Sequence, residues 1–258
     1  ILNICPEGQY GFIGRDYDFL RIERALRNPD NHGVILSGTG GVGKTELAYG
    51  FARWYYETGG CSGGVFVTNF KYKADLGQII GAITGFGKEF SQFSEKAQCK
   101  RAITYLKQNS CLLILDNVET VAGYPGNWQV LASTEEKEKI DNFLRELRGG
   151  KSRVLLTTRK PVEEWLTVAY SILEVKGLVA IDAEQMANRI LTDKKINVNR
   201  FQDDPRYSQL IKYLNGHPRS MESVLPLLRQ LSPQQIIDAI DRRAEGIGAR
   251  IADASLEC

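Results

Sequence analysis

Five short apolar runs recur along the first two thirds of the chain: GVILS (33–37), GVFVTNF (64–70), CLLILD (111–116), RVLLTT (153–158) and SILEV (171–175). They are aliphatic with little polar alternation, the pattern of strands covered on both faces. Between them stand longer segments whose apolar residues return at three- and four-residue spacing: KTELAYGFARWYYE (44–57), LGQIIGAITGF (76–86), SEKAQCKRAITYLKQ (94–108) and TEEKEKIDNFLRELR (134–148). That spacing predicts amphipathic helices. Ser133 and Glu136 stand in capping-box register at the start of the last one, so each should satisfy an N–H of the other. Apolar strands alternating with helices predict an α/β domain, a parallel sheet with helices on both faces.

Beyond residue 177 the strand pattern stops. IDAEQMANRILTD (181–193) carries Asp182 and Gln185 in capping-box register, and PRYSQLIKYLNG (205–216) ends on a glycine suited to a helix C-terminus. RSMESVLPLLRQL (219–231) and SPQQIIDAIDRR (232–243) follow, the latter opening on Ser232, Pro233 and Gln235, a helix-start signature. The expected organisation is a sheet domain over 1–176, with 1–32 as a leading segment and helix, and a small all-helical bundle over 177–258.

Composition narrows the function classes. Lys plus Arg is 33 against 31 for Asp plus Glu, a net charge of +2, which offers neither a nucleic acid nor a membrane surface much electrostatic attraction. The local basic cluster LRGGKSR (147–153) reads as solvated loop charge. Cys5, Cys61, Cys99, Cys111 and Cys258 are scattered without a C-x-x-C pair, and His32 and His217 are the two histidines. Disulfides and zinc are therefore not expected, and a reducing, cytoplasmic setting is. No apolar run is long enough to span a bilayer, and no signal-peptide pattern is present. The chain begins at Ile1, as expected of a piece of a longer protein.

The strongest chemical signal is GTGGVGKT (38–45), a complete G-x-x-x-x-G-K-[ST] between an apolar strand and a helix. Gly40, Gly41 and Gly43 let the backbone curl until its N–H groups point at phosphate oxygens, and the helix adds its positive end. Lys44 supplies charge to the β- and γ-phosphates, and Thr45 a hydroxyl to Mg²⁺. The expected phosphate contacts are Gly38, Gly40, Gly41, Val42, Gly43, Lys44, Thr45 and Glu46. Asp116, at the end of CLLILD, should reach the same metal from the carboxyl edge of the sheet. Arg159, ending RVLLTTR, can meet a γ-phosphate there. No N-K-x-D or T-K-x-D follows a strand, so adenine is expected over guanine, and the ligands are ATP or ADP with Mg²⁺.

Phosphate loop, LLILDN and RVLLTTR, with GFIGRD (11–16) ahead of them and LNGHPRS (214–220) behind, resemble the NB-ARC branch of the STAND signalling ATPases. Apoptosome scaffold proteins, plant disease-resistance receptors and bacterial regulators belong to that group. The resemblance covers residues 11 to 245 and implies a switch that is closed with ADP and assembles with ATP, within a longer chain carrying effector and sensor domains. It further implies that Phe12, Ile13, Gly14 and Arg15 lie by the adenine, that Arg159 senses the γ-phosphate, and that Pro218 packs on bound nucleotide. His217 reads as structural.

Two departures bear on mechanism. The family often has a second acid where this chain has Asn117, and GHPRS (216–220) replaces its GLPLA, putting His217 and Arg219 where apolar residues are usual; the family's winged-helix domain with its MHD motif is not expected within these residues. Asn117 can orient a water but cannot take its proton, so slow hydrolysis is expected, and Asn117→Asp should raise it if the missing acid is what limits it. Glu119 could substitute as the proton acceptor only if the turn after the strand brings it back towards the γ-phosphate. The alternatives are an AAA+-type motor, with fast turnover dependent on oligomers, and a small-molecule phosphotransferase. The latter needs an Arg-rich lid, to which DRRAEGIGAR (241–250) comes nearest.

Overall fold

The computed structural model describes residues 5–28, 30–85, 93–123, 132–160, 163–201 and 203–242. The chain forms two compact units, one ending at Val175 and the other beginning at Lys176.

In the first unit, α1 (Asp16–Arg27) precedes β1 (Gly33–Ser37), and α2 (Lys44–Glu57), β2 (Gly64–Asn69), α3 (Leu76–Thr84) and α4 (Glu95–Gln108) follow. Then come β3 (Cys111–Asp116), a single turn α5 (Glu119–Ala122), α6 (Thr134–Glu146), β4 (Arg153–Thr158) and β5 (Ser171–Glu174). All strand pairs are parallel, in the order β2-β3-β4-β1-β5. β2 and β5 each stop one residue short of the apolar run, although Phe70 N still donates to Asp116 O and Val175 N to Ser37 O.

The unbroken apolar run of β3 has a direct explanation. Leu113 and Leu115 face a core built with α3, α4 and α6, including Ile79, Leu106 and Phe143. Leu112 and Ile114 face the opposite core with α1 and α2, including Ile22, Leu47 and Phe51. Alternate side chains are thus buried on opposite faces, which removes the need for a polar alternation. β5 departs from the expected burial on both faces: as an edge strand it alternates half-buried and exposed residues, and Ile172 is open to solvent.

Helix starts follow their caps unevenly. Ser133 Oγ accepts from Glu136 N as expected, but the Glu136 carboxylate accepts instead from Leu76 N at the head of α3 and from Lys139. Ser232 and Gln235 make both halves of their box.

The second unit comprises α7 (Ala180–Asp193), a 3₁₀ turn (Val198–Phe201), α8 (Pro205–Tyr213), α9 (Pro218–Val224), a second 3₁₀ turn (Leu225–Arg229) and a helix over 233–242. Asp182 does not cap α7, which begins earlier with Val179 at the cap, leaving Asp182 in the first turn, a position the helix dipole also favours. The segment 219–231 is not one helix: Pro226 lacks the N–H needed for an α-helical bond, and the chain tightens into 3₁₀ geometry there. Ala187, Ile190, Leu210, Met221 and Leu225 are buried within this unit. Among the described residues, no helix is long and apolar enough to cross a membrane. The basic stretch beginning at Asp241 lies, after Arg242, outside the described residues.

Candidate functional site

Because all five strands run the same way, their carboxyl ends open on one edge, where ligands bind in sheets of this kind. The loop after β1 emerges there. Gly41 (φ 84) and Gly43 (φ 97) adopt left-handed conformations, which turn successive N–H groups to one side. Lys44 opens α2, and its ammonium donates to Gly38 O at 2.9 Å and Thr39 O at 3.0 Å. Burial lowers its pKa; Glu119 opposes this, Arg159 adds to it and Asp116 opposes it.

Asp116 is completely buried. Its Oδ1 accepts from Thr45 Oγ1 at 2.8 Å and Thr157 Oγ1 at 2.5 Å, and its Oδ2 from Asn69 Nδ2 at 2.8 Å and Asn117 Nδ2 at 3.3 Å. These donors use the lone-pair directions of both oxygens, the condition for keeping a carboxylate out of water. Asn117 sits at φ 61, a left-handed position that asparagine tolerates better than most residues. Its N–H donates to Thr157 Oγ1 at 3.0 Å and its amide to Asn69 Oδ1 at 3.0 Å. Asn117 therefore organises Asp116.

Arg159 leaves β4, which lies between β1 and β3. Its Nε donates to Glu119 Oε1 at 3.1 Å, and its guanidinium lies against the phosphate loop: a Cβ added at Gly40 would stand 3.2 Å from Arg159 Cζ. The turn after β3 brings Glu119 to Arg159, which in turn lies against the loop. Glu119 is 3% exposed; burial raises its pKa, opposed by its own backbone hydrogen bond, Lys44 and Arg159. Its Oε2 is buried with no hydrogen-bond partner among the described residues.

The N-terminal segment reaches the same loop. Arg15 donates to Val42 O at 2.8 Å and pairs with Asp18 at 3.1 Å. Gly14 is left-handed, Ile13 is buried, and Phe12 stacks on Phe19 at 5.1 Å and lies over Gly50 of α2. Glu46 points outward and accepts from Gly8 N at 3.2 Å. Pro218 belongs to the second unit, where it is the first residue of α9, and His217 caps that helix by accepting from Ser220 N.

Sequence reasoning missed Asn69 and Tyr49. Asn69 ends β2 in register with Asp116; a polar residue closing an apolar strand was the available signal. The Tyr49 hydroxyl is pushed up to about 12 by burial and by the Asp116 charge, and one turn of helix from Thr45 was its only clue.

Thr45 and Asp116 place two hard oxygens side by side, joined here by a hydrogen bond that a metal held there would replace. Among the described residues, no group of three or more His, Cys, Asp or Glu could cage a metal. That donor set suits Mg²⁺, which takes one or two protein oxygens and completes its shell with phosphate and water.

No protein-family model matches the chain, and neither does any curated protein sequence. Solved structures do match in fold. The Walker-type ATPase of Pyrococcus abyssi is 12% identical over 98% of this chain and 78% of its own, with a TM-score of 0.56. The ORC2 protein of Aeropyrum pernix is 14% identical over 92% of this chain and 68% of its own, with a TM-score of 0.55. A STAND protein with a tetratricopeptide repeat sensor from Pyrococcus horikoshii is 18% identical over 86% of this chain, which spans 30% of that protein, with a TM-score of 0.52. At these identities the likeness concerns architecture: the chain has a P-loop ATPase fold of the AAA+-like kind, a five-stranded parallel sheet followed by a small helical region.

Proposed function

We propose that this chain binds ATP and ADP with Mg²⁺ and acts as the switch of a STAND-type, NB-ARC-like signalling ATPase that hydrolyses slowly. The observation that carries this is the meeting of Lys44, Thr45, Asp116 and Arg159 around one phosphate loop. In this reading the loop N–H groups and Lys44 bind the phosphates, Thr45 and Asp116 hold the metal, and Arg159 meets the terminal phosphate. A bound Mg²⁺ would neutralise charge on the β- and γ-oxygens. The absence of a guanine-recognition segment and the ADPNP and ADP complexes of the similar ORC2 structure support adenine. The site lacks an acid directly after Asp116, and the Asn117 amide is engaged with Asn69 and Asp116; both favour slow turnover.

A switch of this kind needs differential affinity. Inverting an equilibrium from about 1:99 to 99:1 takes roughly 5.5 kcal/mol of state preference. Contacts made by a γ-phosphate alone, with Arg159 first among them, are where that preference can arise. The likeness to a STAND protein with a repeat sensor supports a sensor domain in a longer protein, and the order of motifs along the chain is the ground for proposing effector domains and self-association with ATP.

The likeness to ORC2 and the Walker-type ATPase favours a second reading, an AAA+ motor. Turnover that climbs steeply with protein concentration to well above one per second would select the motor. The site itself is tested by calorimetry on Lys44→Ala: ATP and ADP binding should vanish while the circular dichroism spectrum is retained, and wild-type affinity in the variant would remove the assignment.

A further inference from the structure

We infer that Glu119 is a positioning residue which, by gripping Arg159 through its Nε, sets the preference of the site for a nucleoside triphosphate over a diphosphate. The inference rests on the reading of Arg159 as the group that meets the terminal phosphate. It assigns Glu119 a role other than accepting a proton from water.

Three observations carry it. First, Glu119 is anchored. Its turn is tied to the ends of two neighbouring strands, because Asn117 N and Val118 N both donate to Thr157 and Thr120 Oγ1 donates to Phe70 O at 2.8 Å. The Glu119 side chain is 4% exposed.

Second, Arg159 has the opposite character, a long side chain 43% exposed. A cation on such a stem loses rotamer freedom when it meets a phosphate, and a fixed partner that restrains it beforehand lowers that cost. The bond to Glu119 uses Nε, the inner nitrogen, and the guanidinium as a whole lies against Gly40, with Cζ, Nη1 and Nε at 3.2, 3.4 and 3.5 Å from a Cβ built there. The planar guanidinium makes the grip directional: fixing Nε fixes the plane that faces the loop.

Third, the remaining oxygen of Glu119 is buried. A carboxylate whose one oxygen holds an arginine and whose other is out of reach of solvent is poorly placed to take a proton from an attacking water. Pairing also suits a negative charge kept beside a phosphate loop, where an unpaired carboxylate would repel the ligand.

Dissociation constants for ADP and for β,γ-methylene ATP, both with Mg²⁺, test this on the whole chain. Glu119→Gln and Arg159→Ala should each lower the triphosphate-over-diphosphate affinity ratio about tenfold, whatever common change the altered charge makes to both affinities. The double variant should lose no more than Arg159→Ala alone, because the two residues act as one unit. Should Glu119→Gln fail to fold, Arg159→Lys replaces it: lysine keeps the charge but has no Nε for Glu119 to grip, so the ratio should fall as in Arg159→Ala. An unchanged ratio in Glu119→Gln or a retained one in Arg159→Lys, while Arg159→Ala lowers it, overturns the inference and leaves the nucleotide site intact. Loss of turnover in Glu119→Gln at an unaltered ratio likewise overturns it, in favour of proton transfer. If Arg159→Ala too leaves the ratio unchanged, or if Lys44→Ala binds like the wild type, the underlying reading fails instead.

Discussion

Asn117 shows how one residue's chemistry depends on its backbone. From sequence, an amide where an acid is usual suggests that Asn117→Asp restores catalysis. The surroundings of the side chain give a physical reason to expect another outcome. Position 117 is left-handed at φ 61, and its amide donates to Asn69 and, at 3.3 Å, to Asp116 Oδ2. An aspartate there loses both donations and sets a second negative charge against a buried carboxylate. Asn117→Asp should therefore cost about 1–3 kcal/mol of stability, read as a lower urea midpoint, and disturb the Asp116 carboxylate enough to offset what an acid at this position adds to hydrolysis. A faster ATPase of unchanged stability would restore the sequence-based view.

At the scale of elements, the segment before α1 acts as a strut for the phosphate loop. Arg15 is itself left-handed at the start of α1, which turns its side chain back to Val42 O and Asp18. Arg15→Ala leaves a loop carbonyl without that donor and is expected to cost about 1–3 kcal/mol. Arg21→Ala, whose partner Asp18 is shared but whose side chain is more exposed, should cost less than about 1 kcal/mol. Equal effects in thermal denaturation would remove the strut. The two serine caps teach the same lesson about context. Ser232 and Gln235 complete their box, whereas Glu136 leaves Ser133 to serve α3, because a carboxylate bonds whichever donor packing brings to it.

For the whole molecule, one titration stands apart from the site. His32 precedes β1 and is 7% exposed; burial, then the charges of Arg153 and Arg148, lower its pKa from 6.5 to about 4. Between those values the unfolded chain binds the proton and the folded chain does not, so stability rises with pH across that window and is lost as pH falls through it. Urea unfolding at intervals from pH 4 to 6.5 should show this slope, and His32→Phe should flatten it. A slope unaltered in the variant would assign the acid sensitivity to other groups.

Element types, the α/β class and the phosphate loop were set by local pattern: apolar runs, helical spacing and a contiguous glycine motif act over a few residues, so a sequence displays them directly. Lys44, Thr45 and Asp116 were legible for the same reason, each being tied to a strand end or a turn. Strand order was not, because β-pairing joins residues far apart in the chain and leaves no local signature. Inserting β4 between β1 and β3 is what carries Arg159 to Gly40 and Thr157 to Asp116. The same long-range register sets Asn69 beside Asp116, and the left-handed turn at Asn117 returns Glu119 to Arg159. The sequence alone determined that a phosphate loop would be built; which side chains surround it was decided by tertiary pairing and by one backbone angle.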